Sequence, residues 1–350
     1  MSNFDDLAMA VASFGANNRV IFDDLGKPSI MVLVPKMKYS DVTADGTQET
    51  MPWWIVDGVE KNIWVSKYIN TVVNDRAYSL ALKDPKCYIN FDQAVAACRK
   101  KGQGWHLNQN GIFAALNLWC MKNGFIPRGN TNWDASYEKA WERGMNTYVD
   151  GDHKGGRTAT GSGPVTWNHD GTPAGIADLC GNTWEWVSGL RLVDGEIQII
   201  PYGNCMKLTC NMGANSTEWK AIMPDGTLVE PGTEGTLKID RTSESDGALR
   251  INTTVTTRTT DSNDTNSFFK DVKAASGVSI PKLLIAAGLF PETGMTTPGR
   301  FYARNHGERL PFRGSAFHGT SNGGPAALLL NNPRTYSGYY YISLRSAYYE

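Results

Sequence analysis

Asp178-Leu179-Cys180-Gly181-Asn182-Thr183-Trp184-Glu185-Trp186-Val187 is the stretch on which the reading of the fold turns. Gly181 and Asn182 tolerate the left-handed backbone of a tight turn, and an Asn side chain also bonds the local backbone. Trp184 and Trp186 stand two residues apart. On a strand they share one face and bury a large area together, while Glu185 points to the other face or to an adjacent loop. A turn followed by doubled tryptophan is expected to nucleate a core.

Outward from this stretch, residues 29–34 and 62–68 read as strands rich in Val and Ile. Asn90 with Gln93 three residues on forms a capping-box pair, followed by Phe91, Ala94, Val95 and Cys98 on one helical face, with Gly102 as the stop. A second helix is expected to start near Asn108 or Asn110, to carry Ile112, Ala115, Leu116 and Trp119, and to stop at Gly124. Phe4, Leu7, Ala8, Val11 and Phe14 have helical spacing, so residues 1–28 are read as an N-terminal arm or helix that packs on the domain or on another subunit. Residues 124–183 are a long Gly-, Asn-, Asp- and Thr-rich loop region. Candidate strands at 196–201, 236–240 and 249–255 make residues 190–300 a β-rich insertion. Within it, 242–267 is expected as an exposed ribbon or mobile loop and 280–290 as a short helix or buried segment.

Bulk properties bound the function. With 34 Lys+Arg against 35 Asp+Glu, the net charge of -1 provides no field that would draw the chain to nucleic acid. No apolar run is long enough to insert in a membrane, and residues 1–20, with Asp5, Asp6 and Asn17, do not have the form of a signal peptide. The six cysteines end at Cys210 and are expected as reduced, buried thiols. No cofactor is expected. Calcium is the alternative, because Asn130, Asn132, Asp134, Asp150 and Asp152 offer oxygen donors, although Asn and Asp also simply form turns.

The Gly-Asn-x-Trp-Glu-Trp segment resembles the D-x-x-G-N-x-W-E-W signature of the formylglycine-generating-enzyme branch of the C-type lectin fold. Other pieces follow in that family's order: Trp64 to Tyr68 as the early strand, and the helix at 91–101 with Gly104-Trp105-His106-Leu107 after it. Arg313-Gly314-Ser315 and Ile342-Ser343-Leu344-Arg345-Ser346 resemble the two closing strands. His106 stands where Arg is usual and Asn108 where Pro is usual. The resemblance implies an α+β C-type lectin fold over residues 29–350, with two helices, small antiparallel sheets, long loops and the 190–300 insertion.

The same resemblance separates enzyme from binder. The oxidising branch needs a cysteine pair near the closing strands, and none lies beyond Cys210. The iron-dependent branch needs a histidine cluster, whereas His106, His153, His169, His306 and His318 show no such arrangement. A diverged metalloenzyme is the alternative, and a structural virion protein is another. The tail from Arg313, RGSAFHGTSNGGPAALLLNNPRTYSGYYYISLRSAYYE, resembles the variable region of proteins diversified by retroelements, which are phage receptor-binding or cell-surface proteins. Asn331-Asn332-Pro333-Arg334 keeps the middle of that pattern and Ile342 to Ala347 its end. All 11 Trp lie at or before Trp219, while six of the 14 Tyr lie at or after Tyr336, which suits a packed core and a separate Tyr-rich face.

The resemblance implies no catalytic residue and a ligand-binding region over 313–350. The expected contacts are Ala316, Phe317, His318, Thr320, Ser321, Asn322, Leu329, Asn331, Asn332, Tyr336, Ser337, Gly338, Tyr339, Tyr340, Tyr341 and Ser343. Leu328 and Leu330 are expected to face inward, and Arg345 to pair within the scaffold. If 339–341 is a regular strand, at least one of its tyrosines must be exposed. The partner implied is a host-surface protein or glycan, met by a virion-borne homo-oligomer, with a trimer as the expected form, made in the bacterial cytoplasm.

Overall fold

The computed structural model of the chain describes residues 3–242 and 247–350. It is an α+β molecule built on two main sheets. The first runs in the order Asn18–Phe22, Pro28–Val34, Ile63–Ser66, Ser346–Tyr349 and Trp105–Leu107, antiparallel throughout. The end of the chain is thus an interior strand, with Ala347 paired to Val65 on one side and to His106 on the other. Asn18–Phe22 belongs to this sheet, so the folded domain begins before residue 29 and only the helix Asn3–Ala12 stands apart as an arm. That helix packs on the domain itself, with Leu7, Ala8 and Val11 against Val20, Ile30 and Tyr68.

Most of the sheets are small, as expected, with two to five strands, but the second main sheet is neither small nor purely antiparallel. Among the described residues it has 13 strands, and it is mixed. Ile342–Leu344 runs parallel to Trp184–Trp186, and Arg300–Ala303 parallel to Leu328–Asn332. The 190–300 segment is β-rich but not a separate appendage, since Leu190–Val193 pairs with Glu308–Arg313 and continues the same sheet. Residues 243–246 lie outside the described residues. The rest of 242–267 is no ribbon: Leu249–Asn252 pairs with Lys238–Arg241, whereas Thr265–Phe268 pairs with Arg300–Ala303. The loop between them is tied to buried Asp240, whose carboxylate accepts from Arg250, Asn252, Thr256 and Thr257.

The first of the two main helices follows its capping signal, whereas the second, Asn110–Lys122, starts after Gln109 without a side-chain capping bond. Phe91–Arg99 starts at Asn90, whose Oδ1 accepts from Gln93 N at 2.9 Å while Gln93 Oε1 accepts from Asn90 N at 3.1 Å. Asn110–Lys122 is buried on nearly all sides, with Trp119 at its margin. Three other α-helices accompany them among the described residues: Asn3–Ala12, Tyr39–Val42, and Lys282–Ala286 inside the predicted 280–290 segment.

The decisive stretch is the meeting point of both sheets. Trp186 packs on Phe312 at 3.9 Å between ring centroids and on Phe91 at 5.7 Å, and its Nε1 donates to Ile89 O. Glu185, on the opposite face, receives a bidentate pair from Arg345, with both bonds at 2.7 Å and both side chains fully buried. Asn182 joins the long loop to the core: its Oδ1 accepts from Thr158 N and its Nδ2 donates to Thr158 O, while its backbone N–H donates to Asn130 O. Gly181 precedes it at φ +76°, where a Cβ would lie 2.1 Å from Asn130 O. Gly181→Ala is therefore expected to cost at least about 2 kcal/mol, from the left-handed backbone plus the clash with a carbonyl that cannot move freely. A urea titration checks this, and an unchanged midpoint would contradict it.

One buried and one half-buried imidazole make the fold acid-sensitive. Burial lowers His106 from 6.5 to about 3 and His169 from 6.5 to about 4. Unfolding releases rings that take up protons below about pH 6.5, so stability is full above that value and is lost as pH falls toward 4. His169 alone accounts for about 3 kcal/mol of that loss. Asp178, raised by burial to about 6, acts in the opposite sense: its contribution is full below 3.8 and is lost as pH rises through 6. Glu185, also raised by burial, acts like Asp178, whereas Asp23, Asp150, Asp240 and Glu308 are held below the usual carboxylate range and lose their contribution as pH falls; with the two rings they outweigh the two raised carboxyls, so the urea midpoint should fall between pH 7 and pH 4. A flat or rising midpoint would contradict this.

Candidate ligand-binding face

The segment from Leu328 to Leu344 leaves one strand and returns on another, and both ends are fixed. Leu328 and Leu330 are buried in the core, as their sequence position suggested. Arg334 anchors the exit from the first strand. Its guanidinium bonds Glu308 at 2.7 and 2.8 Å, Asp92 at 2.9 Å and Met212 O at 2.9 Å, and its own carbonyl accepts from Phe91 N. The return is held where Trp184 N donates to Tyr341 O and Arg157 donates to Tyr340 O. Arg157 is itself gripped by the Asp84 carboxylate through two bonds at 2.7 and 2.8 Å.

Residues 339–341 form no regular strand, so face alternation does not govern them. The three tyrosines diverge instead. Tyr341 stacks on Tyr339 at 4.6 Å and 15°, and Tyr336 meets Tyr339 edge-on at 5.1 Å. Tyr340 turns the other way, onto Tyr148 at 4.9 Å, and its hydroxyl donates to Asp150 at 2.8 Å. His318 touches Tyr341 at 4.6 Å, and Phe317 lies 6.0 Å from Tyr340. Tyr339 is 41% exposed, and Ser337 and Gly338 beside it are exposed. Tyr336, Tyr339 and Tyr341, with Leu329, Asn331 and Asn332, line an open cavity of about 280 Å³.

Some expected contacts are not on this surface. Ala316, Phe317 and Ser343 are buried at 1% exposure or less. The backbone turns into the core at Phe317, whose N–H donates to Asn182 O and whose carbonyl accepts from Trp133 N, so its ring supports the face from beneath. Ser343 lies on the strand paired to Glu185. Thr320, Ser321 and Asn322 form a short 3-10 turn beside a separate cleft of about 140 Å³ shared with Thr131, Ser136 and Tyr137. Among the described residues, no hydrogen bond or ring contact joins that turn to the tyrosines.

The long loop contributes Trp133 and Tyr148, which sequence reading missed, and Asp150 and His153, which it weighed only as candidate metal donors. Trp133 stacks on His153 at 4.0 Å, lies 6.4 Å from His318 and donates from Nε1 to Asp150 at 3.0 Å. Burial pushes the Asp150 carboxyl up, but the bonds from Trp133 and Tyr340, with His318 and His153 near, hold it below the usual carboxylate range. Burial and the bond to Asp150 raise the Tyr340 phenol to about 12, and burial lowers His318. This surface is therefore aromatic, with Asp150 as its anchored negative charge and Arg157 and Arg304 as cations beside the rings. Both Asp150 oxygens already accept protein donors, Asp134 pairs with Arg143, and Asn130 bonds the backbone of Gly156 and Asp134. These side chains thus act as turn and loop anchors.

All six cysteines are free and buried, and burial raises Cys87, Cys98, Cys120 and Cys180 to about 12 and Cys205 to about 11. They are structural thiols rather than nucleophiles. His153 and His169 do not form a pair: His153 lies exposed on Trp133, whereas half-buried His169 packs on Trp119 and accepts from Ile176 N. No helix among the described residues is long and apolar enough to cross a membrane. Compared with known protein families the chain matches no family model, and it matches none of the curated proteins.

Proposed function

We propose that this chain is a recognition protein: a C-type-lectin-fold variable protein of the retroelement-diversified kind, carried on a phage or prophage particle and binding a host-surface protein or glycan. It performs no catalytic step. The observation that carries this reading is the connected aromatic surface of Tyr336, Tyr339, Tyr341, His318, Tyr340 and Tyr148, held on loops whose ends are fixed to the scaffold. Tyr presents a large amphipathic area with few rotatable bonds, and exposed Ser337 and Gly338 give it room and adaptable hydrogen bonding. The lectin assignment is supported by the Gly-Asn-x-Trp-Glu-Trp segment acting as the junction of both sheets and by the burial of Arg345 against its glutamate.

The DNA beside the gene tests the class. A near-copy of the codons for Arg313 to Glu350, differing mainly at adenines and lying near a reverse-transcriptase gene, is expected. Finding neither would remove the diversification part of the proposal.

A further inference from the structure

Arg304 stands in the lining of the 280 Å³ cavity beside the tyrosines, and its surroundings do not account for it. Its backbone N–H donates to Leu330 O at 3.1 Å, which places it next to the Leu328–Asn332 strand. Among the described residues its guanidinium has no hydrogen bond or ion pair, and its Nε is buried without a partner. The neighbouring arginines differ. Arg309 bonds His306 O and Asn331 O, and Arg334 is saturated by Glu308, Asp92 and Met212.

A second orphan belongs to the same cavity. Asn331 Nδ2 donates to Asp264 at 2.9 Å, and because a carboxylate only accepts, this bond fixes which way the amide faces. Asn331 Oδ1 is then left buried with no donor. The other Asp264 oxygen is taken by Asn266, so that carboxylate is already engaged by two amides. That acceptor is sealed within the wall, so the cavity itself presents the guanidinium of Arg304, whose charge also acts on Asp261 but which makes no hydrogen bond among the described residues, with the Asn332 amide and the rings of Tyr336, Tyr339 and Tyr341.

We infer that this cavity binds a carboxylate-bearing sugar residue, with the carboxylate on Arg304, a hydroxyl on Asn332, and the ring face against the tyrosines. The inference rests on the reading of this face as a recognition surface and names its ligand class. A volume of 280 Å³ is at the small end of ligand pockets, which start near ~300 Å³, and suits one sugar ring rather than a folded chain. A sugar ring also offers a flat apolar face to the tyrosine rings that line the cavity, which the short side chain of an aspartate or glutamate does not.

The full chain is titrated with glucuronic acid, galacturonic acid, glucose and acetate by calorimetry, with tryptophan fluorescence as a second signal because Trp184 lines the cavity. Saturable binding of a uronic acid in the millimolar range is expected, with glucose weaker by about tenfold or more. Arg304→Gln should remove that difference without moving the unfolding midpoint. Equal binding of glucose, displacement by acetate as effective as by the uronic acids, absence of saturable acid binding, or indifference to Arg304→Gln would each overturn the inference. Adhesion that depends on Tyr339 while no acidic sugar binds would sink this inference alone. Adhesion indifferent to Tyr339 would instead sink the recognition reading.

Discussion

Arg345→Met is expected to leave little folded chain even at room temperature. The substitution strands Glu185, which is 1% exposed, as an uncompensated buried charge, and breaking such a pair from one side costs about 3–5 kcal/mol. Arg345 also donates to the carbonyls of Ser66, Lys67 and Ala177, so bonds that hold the first sheet to the decisive stretch go with it, at about 1 kcal/mol each. Together these approach the whole stability of an ordinary domain, about 5–15 kcal/mol. Arg345→Met with Glu185→Gln should recover the charge penalty but not the lost carbonyl bonds, and so unfold at an intermediate urea concentration. Circular dichroism through a urea titration checks both. A single variant within about 1 kcal/mol of the parent would mean that the pair does not hold the sheets together.

Tyr339→Ala should do the reverse: the fold survives and binding fails. Tyr339 is 41% exposed, and its packing consists of the ring contacts with Tyr341 and Tyr336, so the stability loss should stay near 1 kcal/mol. An aromatic anchor at the centre of an interface is worth at least about 2 kcal/mol, or roughly thirtyfold in affinity. Adhesion of the full chain to intact bacterial cells, scored beside the unfolding midpoint, separates the two effects. Equal losses in both would show Tyr339 to be a packing residue.

How much of this was legible depended on whether the signal was local. The capping box at Asn90 and the tight turn at Gly181-Asn182 are written within a few residues, and both are found where the sequence puts them. Arg345 was readable as a scaffold residue, but its partner is 160 positions away and no spacing reveals it. The breadth of the second sheet was hidden for the same reason. Parallel pairings such as Ile342–Leu344 with Trp184–Trp186 need no hairpin turn and leave no turn signature. Ala316, Phe317 and Ser343 were misassigned because the tail was read as one surface strip, whereas its backbone dips into the core at both ends. The contribution of Trp133 and Tyr148 was missed because the Gly- and Asn-rich loop around them signals only turns. Large aromatics in so polar a stretch were the available clue.

A photo-crosslinking residue placed at Tyr339, with a control at Leu25, which is 62% exposed on the turn before the Pro28–Val34 strand, tests the central claim most directly. Particles or purified chain carrying each probe are illuminated on intact bacterial cells. Crosslinks to a cell-surface molecule are predicted from position 339 and not from position 25. Crosslinks from both positions alike, or from 339 only to other subunits of the particle, would contradict a recognition face built on the closing segment of the chain.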